Sequence, residues 1–404
     1  MHSWKRNQAA ITAAAFVGFT GFTLVMPFLP LYFRQLGVTD VGDIALWTGL
    51  TLGVSPAIAA LTAPLWGRVG DRFGHKLLVQ RSLISFIVVM TWMAHVTEAW
   101  HLFALRAVQG FFAGYGPLVL SMAALSAPRE KMALAIGTVQ TAQRLGPAIG
   151  PVIGGMLAPV FGLRNSFYVA AVFYLVAFVM ITVLYTEPPR PPRTTERKER
   201  TPFASILAFE NFVLVMVLLF GLQLVDRSFG PVLPLHLGQI GYSPTEVPVV
   251  AGILFSVIAF TTALGNQLSS RLLKRHSPRV IIAWTVLVAA AALTIFVFST
   301  ALWLLIAPLA VFGLCLGTAI TTAYTAGGAV IPRDIHATGF GFLTSASMTG
   351  VAVSPVVSGL LGARSIRGVF LAAIVVLGIL AIVVRRVMVE RNPPVASAPA
   401  VEES

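Results

Sequence analysis

The stretch Val280–Pro332, VIIAWTVLVAAAALTIFVFSTALWLLIAPLAVFGLCLGTAITTAYTAGGAVIP, runs for 53 residues without a charged side chain. One crossing of a bilayer takes about 20 apolar residues, so the stretch holds two crossings. Ser299-Thr300 marks the break between them. Backbone groups inside hydrocarbon must find partners within their own segment, which makes both crossings helices. Working outward, uncharged runs recur at Ala9–Phe33, Ile44–Trp66, Asn165–Thr186, Val247–Ser270, Ala337–Ala363 and Gly368–Val384. Four more spans carry isolated charges: 77–96, 99–125 with Arg106, 132–158 with Arg144, and 211–238 with Asp226 and Arg227. The total is twelve. The run after Lys5-Arg6 is longer than the roughly 7–15 residues of a signal-peptide core and reads as the first span.

The composition agrees. Of the 404 residues 57% are hydrophobic and 11% charged, against about 25% charged in a soluble domain. That excludes an ordinary cytosolic enzyme and a disordered chain. The single cysteine, Cys315, excludes a disulfide framework and a thiolate metal cluster. The net charge of +13 is explained by topology. With the amino end cytoplasmic, 21 of the 28 Lys and Arg fall in inside segments, four outside and three within spans, as the positive-inside rule requires. The basic residues face anionic lipid, and no interleaved aromatic–basic groove for nucleic acid is visible.

Residues 187–202 are rich in proline and mixed charge, with six spans before them and six after. The expected organisation is an all-α membrane protein of two pseudo-symmetric six-helix bundles. Residues 1–186 form the first bundle, 187–204 a cytoplasmic linker, 205–390 the second bundle and 391–404 a disordered tail. Inverted or repeated bundles of this kind hold their site between the halves. Corresponding loops, Gly67–Lys76 and Gly265–Arg275, share glycine and basic residues, but the second lacks the acid of the first.

Three features invite a functional reading. The loop Gly67-Arg-Val-Gly70-Asp71-Arg72-Phe-Gly74-His-Lys76 places tight-turn glycines and an acid among cations. Asp71 suits a helix N-terminus or a pair with Arg72 or Arg129, and the loop is either a topogenic basic segment or a latch that works as the halves rock. In span four, Arg106 and Gln109 share a helix face; an Arg in a span costs about 2.5–3.5 kcal/mol on insertion scales, so it either snorkels to the surface or works. In span five, Gly146, Gly150 and Gly154 form a ridge at i+4 spacing, flanked by Pro147 and Pro151, which permits close packing and kinks.

These stretches together resemble the major facilitator superfamily of transporters and, more narrowly, its twelve-helix drug:proton antiporter branch. The loop pattern is matched by Gly67, Asp71, Arg72, Gly74 and Lys76, the span-four pattern L-x3-R-x2-Q-G by Leu102, Arg106, Gln109 and Gly110, and the antiporter pattern by Gly137, Gly146, Gly150, Pro151, Gly154 and Gly155. Pro27 and Pro30 late in span one also resemble that branch. The resemblance implies alternating access, a proton role for Arg106 and exchange transport for the span-five motif. Two departures stand out: spans one, four and five carry no acid, and the second-half loop lacks the Asp.

The acid deep in a span is then Asp226, about 22 Å from the cytoplasmic end at 1.5 Å per residue. Neighbours at i,i+1 do not face one another on a helix, so the expected partner of Asp226 is Arg106 or Arg144 from the other half rather than Arg227. Asp226, Arg106 and Arg144 are the proton-coupling candidates, with a structural ion pair as the alternative for Asp226. Gln109, Tyr115, Gln140, Arg144 and Gln223 are the cavity candidates, with Phe16, Phe19, Phe112, Phe220 and Phe255 as its apolar lining. His95-x2-Glu98-x2-His101 lacks further ligands, and there is no P-loop, so no metal and no cofactor are expected. The reading is a monomeric, multi-pass transporter of the inner or plasma membrane, both termini cytoplasmic, moving small amphipathic molecules outward against protons. Export of a specific metabolite, proton symport and a transporter-like sensor are the alternatives; no catalytic constellation supports an enzyme. Fluorescent-protein fusions at residue 195 and after residue 389 are expected to glow, and an alkaline-phosphatase fusion at Gly37 to be active; fusions reporting residues 195 and 389 on opposite sides contradict the topology.

Overall fold

A computed structural model describes residues 2–188, 211–331 and 336–389. Most of the linker and the tail lie outside them. Among the described residues twelve helical spans are long and apolar enough to cross a membrane, as the charge-free runs require. In chain order they are α1 (His2–Leu24 and, after a turn at Met26–Phe28, Leu29–Gln35), α2 (Val41–Phe73), α3 (His75–Met93), α4 (Ala99–Phe111 and Tyr115–Ser126), α5 (Met132–Phe161) and α6 (Leu163–Leu184), then α7 (Phe212–Asp226 and Phe229–Gln239), α8 (Glu246–Leu272), α9 (Pro278–Val297), α10 (Leu302–Val330), α11 (His336–Gly362) and α12 (Ile366–Val387). Where a helix starts at a loop, side chains take up its free amides: Asp40 accepts from Asp43 N, and Ser365 from Gly368 N, the usual N-cap arrangement.

The two halves pack alike. In the first, α1 lies on α5 and α6, α2 on α4, and α3 on α6; in the second, α7 lies on α11 and α12, α8 on α10, and α9 on α12. The halves meet through α5 against α8 and α2 against α11. This symmetry exposes a repeat far stronger than the loop similarity. Pro27-Phe-Leu-Pro-Leu31 of α1 recurs as Pro231-Val-Leu-Pro-Leu235 of α7, 204 positions on. At the same offset, Gly146, Ala148, Pro151, Val152, Gly155 and Leu157 of α5 recur as Gly350, Ala352, Pro355, Val356, Gly359 and Leu361 of α11.

The repeated glycines do the joining. A Cβ on Gly252 of α8 would collide with the Pro151 carbonyl of α5, and one on Gly155 with the Pro248 carbonyl of α8. The other seam repeats the arrangement: Gly49 of α2 lies against the Pro355 carbonyl of α11, and Gly359 against the Ala45 carbonyl. Both seams lie at the face opposite the described chain ends. At the other end Gly137 and Gly341, again 204 apart, have nothing within 4 Å of where a Cβ would stand. Thr138, Gln140 and Thr141 of α5 and Thr344 and Ser345 of α11 are exposed there. The bundles therefore touch at one face and diverge toward the face that carries Lys5, Arg6, Arg271, Lys274 and Arg385.

The motif at the end of α2 is helical up to Phe73, and the reversal is made by Gly74 alone, at φ 104°. Gly67 and Gly70 are thus helix residues rather than turn residues, and Gly70 gives room to Leu78. The side chain of Asp71 lies outside the described residues. Lys76 donates to the carbonyls of Thr182 and Tyr185 at the end of α6, and Glu187 accepts from the His75 amide. These contacts stay within the first bundle, so the latch between halves is not what Lys76 builds here.

A larger side chain at Gly49 or Gly252 must push its seam apart, an overpacking cost of about 1–3 kcal/mol. In a Cys315→Ser background, Leu52→Cys is expected to resist a membrane-impermeant maleimide applied from the seam face. It is expected to react once Gly49→Val or Gly252→Val is added; equal protection in all three proteins contradicts the seams.

Candidate functional site

Three spans break at the same level. α1 breaks where Pro27 and Pro30 remove amide donors, α7 at Arg227–Ser228 and α4 at Phe112–Gly114. A broken helix frees carbonyls that no water in hydrocarbon can satisfy. At α4 they are met by α2 and α3. Trp66 Nε1 donates to Phe111 O at 2.6 Å, and Arg81 Nη2 donates to Phe112 O at 3.0 Å and Ala113 O at 3.2 Å. The Arg81 guanidinium lies 3.5 Å from the centre of the Trp66 ring. Arg81 of α3 is thus the cation that closes the broken end of α4.

The breaks border a central cavity of two lobes that share Thr23, Met26 and Arg227. One, with about 850 Å³ of open space, is walled by Phe22, Leu52, Pro56, Phe86 and Val351 and reaches Arg106 and Gln109. The other, about 880 Å³, holds Gln143, Arg144, Asp226, Arg227, Phe255 and Asn266. The 204-residue repeat pairs Phe22 with Asp226 and Thr23 with Arg227, so the same turn of each half supplies the cavity's centre.

Asp226 and Arg106 do not meet. Asp226 Oδ2 lies 3.1 Å from Arg227 Nε, and the side chains are 15% and 48% exposed. The i,i+1 rule holds within a helix, but α7 ends at Asp226, and Arg227 starts the break. That lets the two side chains turn toward each other. Arg106 is only 2% exposed, so it does not snorkel; its Nη1 donates to Gln109 Oε1 at 2.9 Å, and its carbonyl accepts from Ser55 Oγ. Arg144 bridges the halves: with the Asn266 amide donating to Thr321 Oγ1 and Gly317 O, Asn266 Oδ1 accepts from Arg144 Nη1 at 3.0 Å.

The other candidates divide. Tyr115 is buried and donates to Ala14 O, tying α4 to α1 beside a separate small pocket lined by Phe19, Phe22, Phe86 and Tyr174. Gln140 is exposed but borders neither lobe, and its place is taken by Gln143, one residue triplet on, which donates to Gly116 O. Gln223 packs on Gly350 of α11 instead of the lobes. Phe255 lines the cavity; Phe112 packs with Trp66 and Arg81. The span-five motif has two duties. Gly146, Gly150 and Gly154 receive the backbone of α1, whereas Pro151 and Gly155 face α8. Sequence reading missed Thr23, Ser55, Gln143 and Asn266; the repeat in α1 and α7 is the signal that marks the first of them.

The sequence profile of the Major Facilitator Superfamily matches residues 11–225 and 212–404. The chain belongs to the major facilitator superfamily. It is 30% identical over 287 residues to the multidrug resistance protein MdtG of Proteus mirabilis (strain HI4320), spanning 70% of this chain and 71% of that one. It is 31% identical over 271 residues to the multi-drug resistance efflux pump PmrA homolog of Lactococcus lactis subsp. lactis (strain IL1403), 67% of each chain. The fold matches a bacterial homolog of the human lysosomal transporter Spinster, in an inward-facing and unoccupied conformation, with a TM-score of 0.81 at 17% identity over 96% of this chain and 98% of that one. At that identity the fold alone is shared. This facilitator is a multi-pass membrane transporter.

Because Arg81 satisfies Ala113 O and shares Phe112 O with the Ser82 hydroxyl, Arg81→Met is expected to cost about 1–3 kcal/mol, the penalty for leaving a buried acceptor unpaired. Arg81→Lys should recover only part, since an ammonium does not stack on the Trp66 ring as the guanidinium does. Thermal melting in detergent reads both; a wild-type melting point for Arg81→Met contradicts the capping role.

Proposed function

We propose that this facilitator exports small amphipathic molecules by alternating access, in exchange for protons moving inward. The observation that carries the reading is the cavity itself: two lobes between the bundles, shut at one face by the paired seams and open toward the other. Among the described residues the open face carries most of the Lys and Arg and is therefore the cytoplasmic one, with both described chain ends on it. A cavity that loads from the cytoplasm suits an exporter. The multidrug names of the relatives from Proteus mirabilis and Lactococcus lactis, and the span-five glycine–proline pattern, support export over uptake.

Transport requires the seams to part while the cytoplasmic ends close. Backbone-to-backbone contact at Gly49, Gly155, Gly252 and Gly359 suits a joint that separates, because no side chain has to be unthreaded. Asp226 is the proposed proton site. It is the acid among the residues lining the two lobes, and its ion pair with Arg227 sits on the break of α7. Protonation removes one charge of that pair, and any difference in the pair between the two access states is the coupling free energy. Arg144 and Asn266, bonded across the halves, are a second polar contact at the cavity. The substrate and the proton thus occupy different places and communicate through the access equilibrium.

Everted membrane vesicles with an acid interior test this. Fluorescent amphipaths of both charge signs are screened, and those that accumulate are followed in Asp226→Asn. Accumulation driven by the pH gradient is expected to fall at least tenfold in the variant, while exchange of labelled for unlabelled substrate without a gradient persists. Undiminished gradient-driven accumulation eliminates Asp226 as the proton site. Absence of accumulation of every probe in the wild type argues against export.

A further inference from the structure

The lobe that reaches Arg106 contains a buried cation with no counter-charge. Arg106 and Gln109 are each 2% exposed. Their mutual bond uses Nη1 and Oε1. Arg106 Nε and Nη2 and Gln109 Nε2 have no partner, and neither has the hydroxyl of Tyr174 on α6. Tyr174 is 1% exposed and near enough to Arg106 for the two to act on each other electrostatically. No acid is among the residues lining this lobe; Asp226 lines the other one and is held by Arg227.

An unpaired charge away from water is costly, and a buried polar group without a partner adds to the cost. Stability therefore gives no reason for this arrangement. The vacant donors belong to a guanidinium and an amide on one helix face, and the Tyr174 phenol lines the small pocket beside the lobe. A planar guanidinium offering Nε and Nη2 side by side matches the two oxygens of a carboxylate. Around it the lobe is apolar and partly aromatic, with Phe22, Met26, Leu52, Phe86 and Val351.

We infer that this lobe binds a compact aromatic carboxylate, with its anionic group on Arg106 and Gln109 and its ring among Phe22, Phe86 and Met26. This rests on the transport reading and names the substrate class for it: amphipathic anions rather than lipophilic cations. Across the whole cavity the charges favour the same sign, since Arg106, Arg144 and Arg227 stand against Asp226 alone.

The test uses the full chain in lipid nanodiscs and calorimetric titration with three probes: 2-naphthoate, the uncharged 2-naphthamide and tetraphenylphosphonium. 2-Naphthoate is expected to bind at least tenfold more tightly than the amide. Arg106→Gln should remove that preference. Gln109→Glu supplies a resident carboxylate beside the guanidinium, so it is expected to raise the melting temperature and abolish 2-naphthoate binding, a readout that stands even where Arg106→Gln fails to fold. Equal binding of naphthoate and amide, tighter binding of tetraphenylphosphonium, or wild-type naphthoate binding in a folded Gln109→Glu protein overturns the inference. Everted vesicles separate it from the transport reading. Accumulation of tetraphenylphosphonium but not of 2-naphthoate overturns the anion seat and leaves export standing. Arg106-dependent binding of 2-naphthoate without accumulation of any probe upholds the seat and overturns export.

Discussion

Every peptide group of this chain that enters the apolar layer must be hydrogen-bonded by the protein itself, and the rest of the structure follows from how that demand is met. It makes the twelve spans helical and forbids irregular backbone against lipid. Irregular backbone is admitted only where it borders the cavity or is capped by a neighbour. The breaks of α1, α4 and α7 obey this rule. Prolines make the first cheap by having no amide to satisfy, and Trp66 and Arg81 supply donors to the carbonyls freed in the second. Broken helices and the transport cavity are one feature, because a segment free of ladder bonds is what allows polar groups to turn inward.

A second constraint is close approach. Two helical bundles that separate and rejoin cannot interlock long side chains at the joint without a large barrier. Glycines opposite carbonyls give a flat, close-packed joint on both sides of the pseudo-twofold axis, through α5 and α8 and again through α2 and α11. The duplicated pattern explains why one bundle's motif has a partner in the other. Gly155 and Gly359 occupy the same place in their own halves, and each receives a carbonyl from the opposite half. The remaining glycines of α5 serve a different contact, with α1, inside one bundle. A single motif thus sets both the rigidity of a bundle and the mobility between bundles.

Electrostatics give the cavity its direction. Charges in a membrane protein are expensive, and those that persist in spans face a cavity or one another. Here Asp226 and Arg227 satisfy each other at the break of α7, Arg144 reaches Asn266 across the halves, and Arg106 keeps free donors beside an apolar lobe. Of the three cations one is paired with an acid and two with amides, and Arg106 alone of the amide-bonded pair lines the apolar lobe.

The span count, the helical class, the shared side of the two chain ends and the family were legible in the residues, because apolar length, basic asymmetry and short motifs are local quantities that do not depend on neighbours. The candidate site was legible in part. Arg106, Arg144 and Asp226 stand out because a charge in an apolar run is conspicuous anywhere, and all three do border the cavity. Their partners were not legible. The chain order suggested an ion pair between halves, whereas the end of a helix at Asp226 turned Arg227 into its partner. Tyr115 and Gln223 fell into packing roles that only helix rotation assigns. Arg81 became a cap because the break of α4 came to rest beside it. Which side chains converge, and which buried donors stay empty, depends on how twelve helices are rotated and tilted against one another, and that is settled by packing across hundreds of residues of sequence separation.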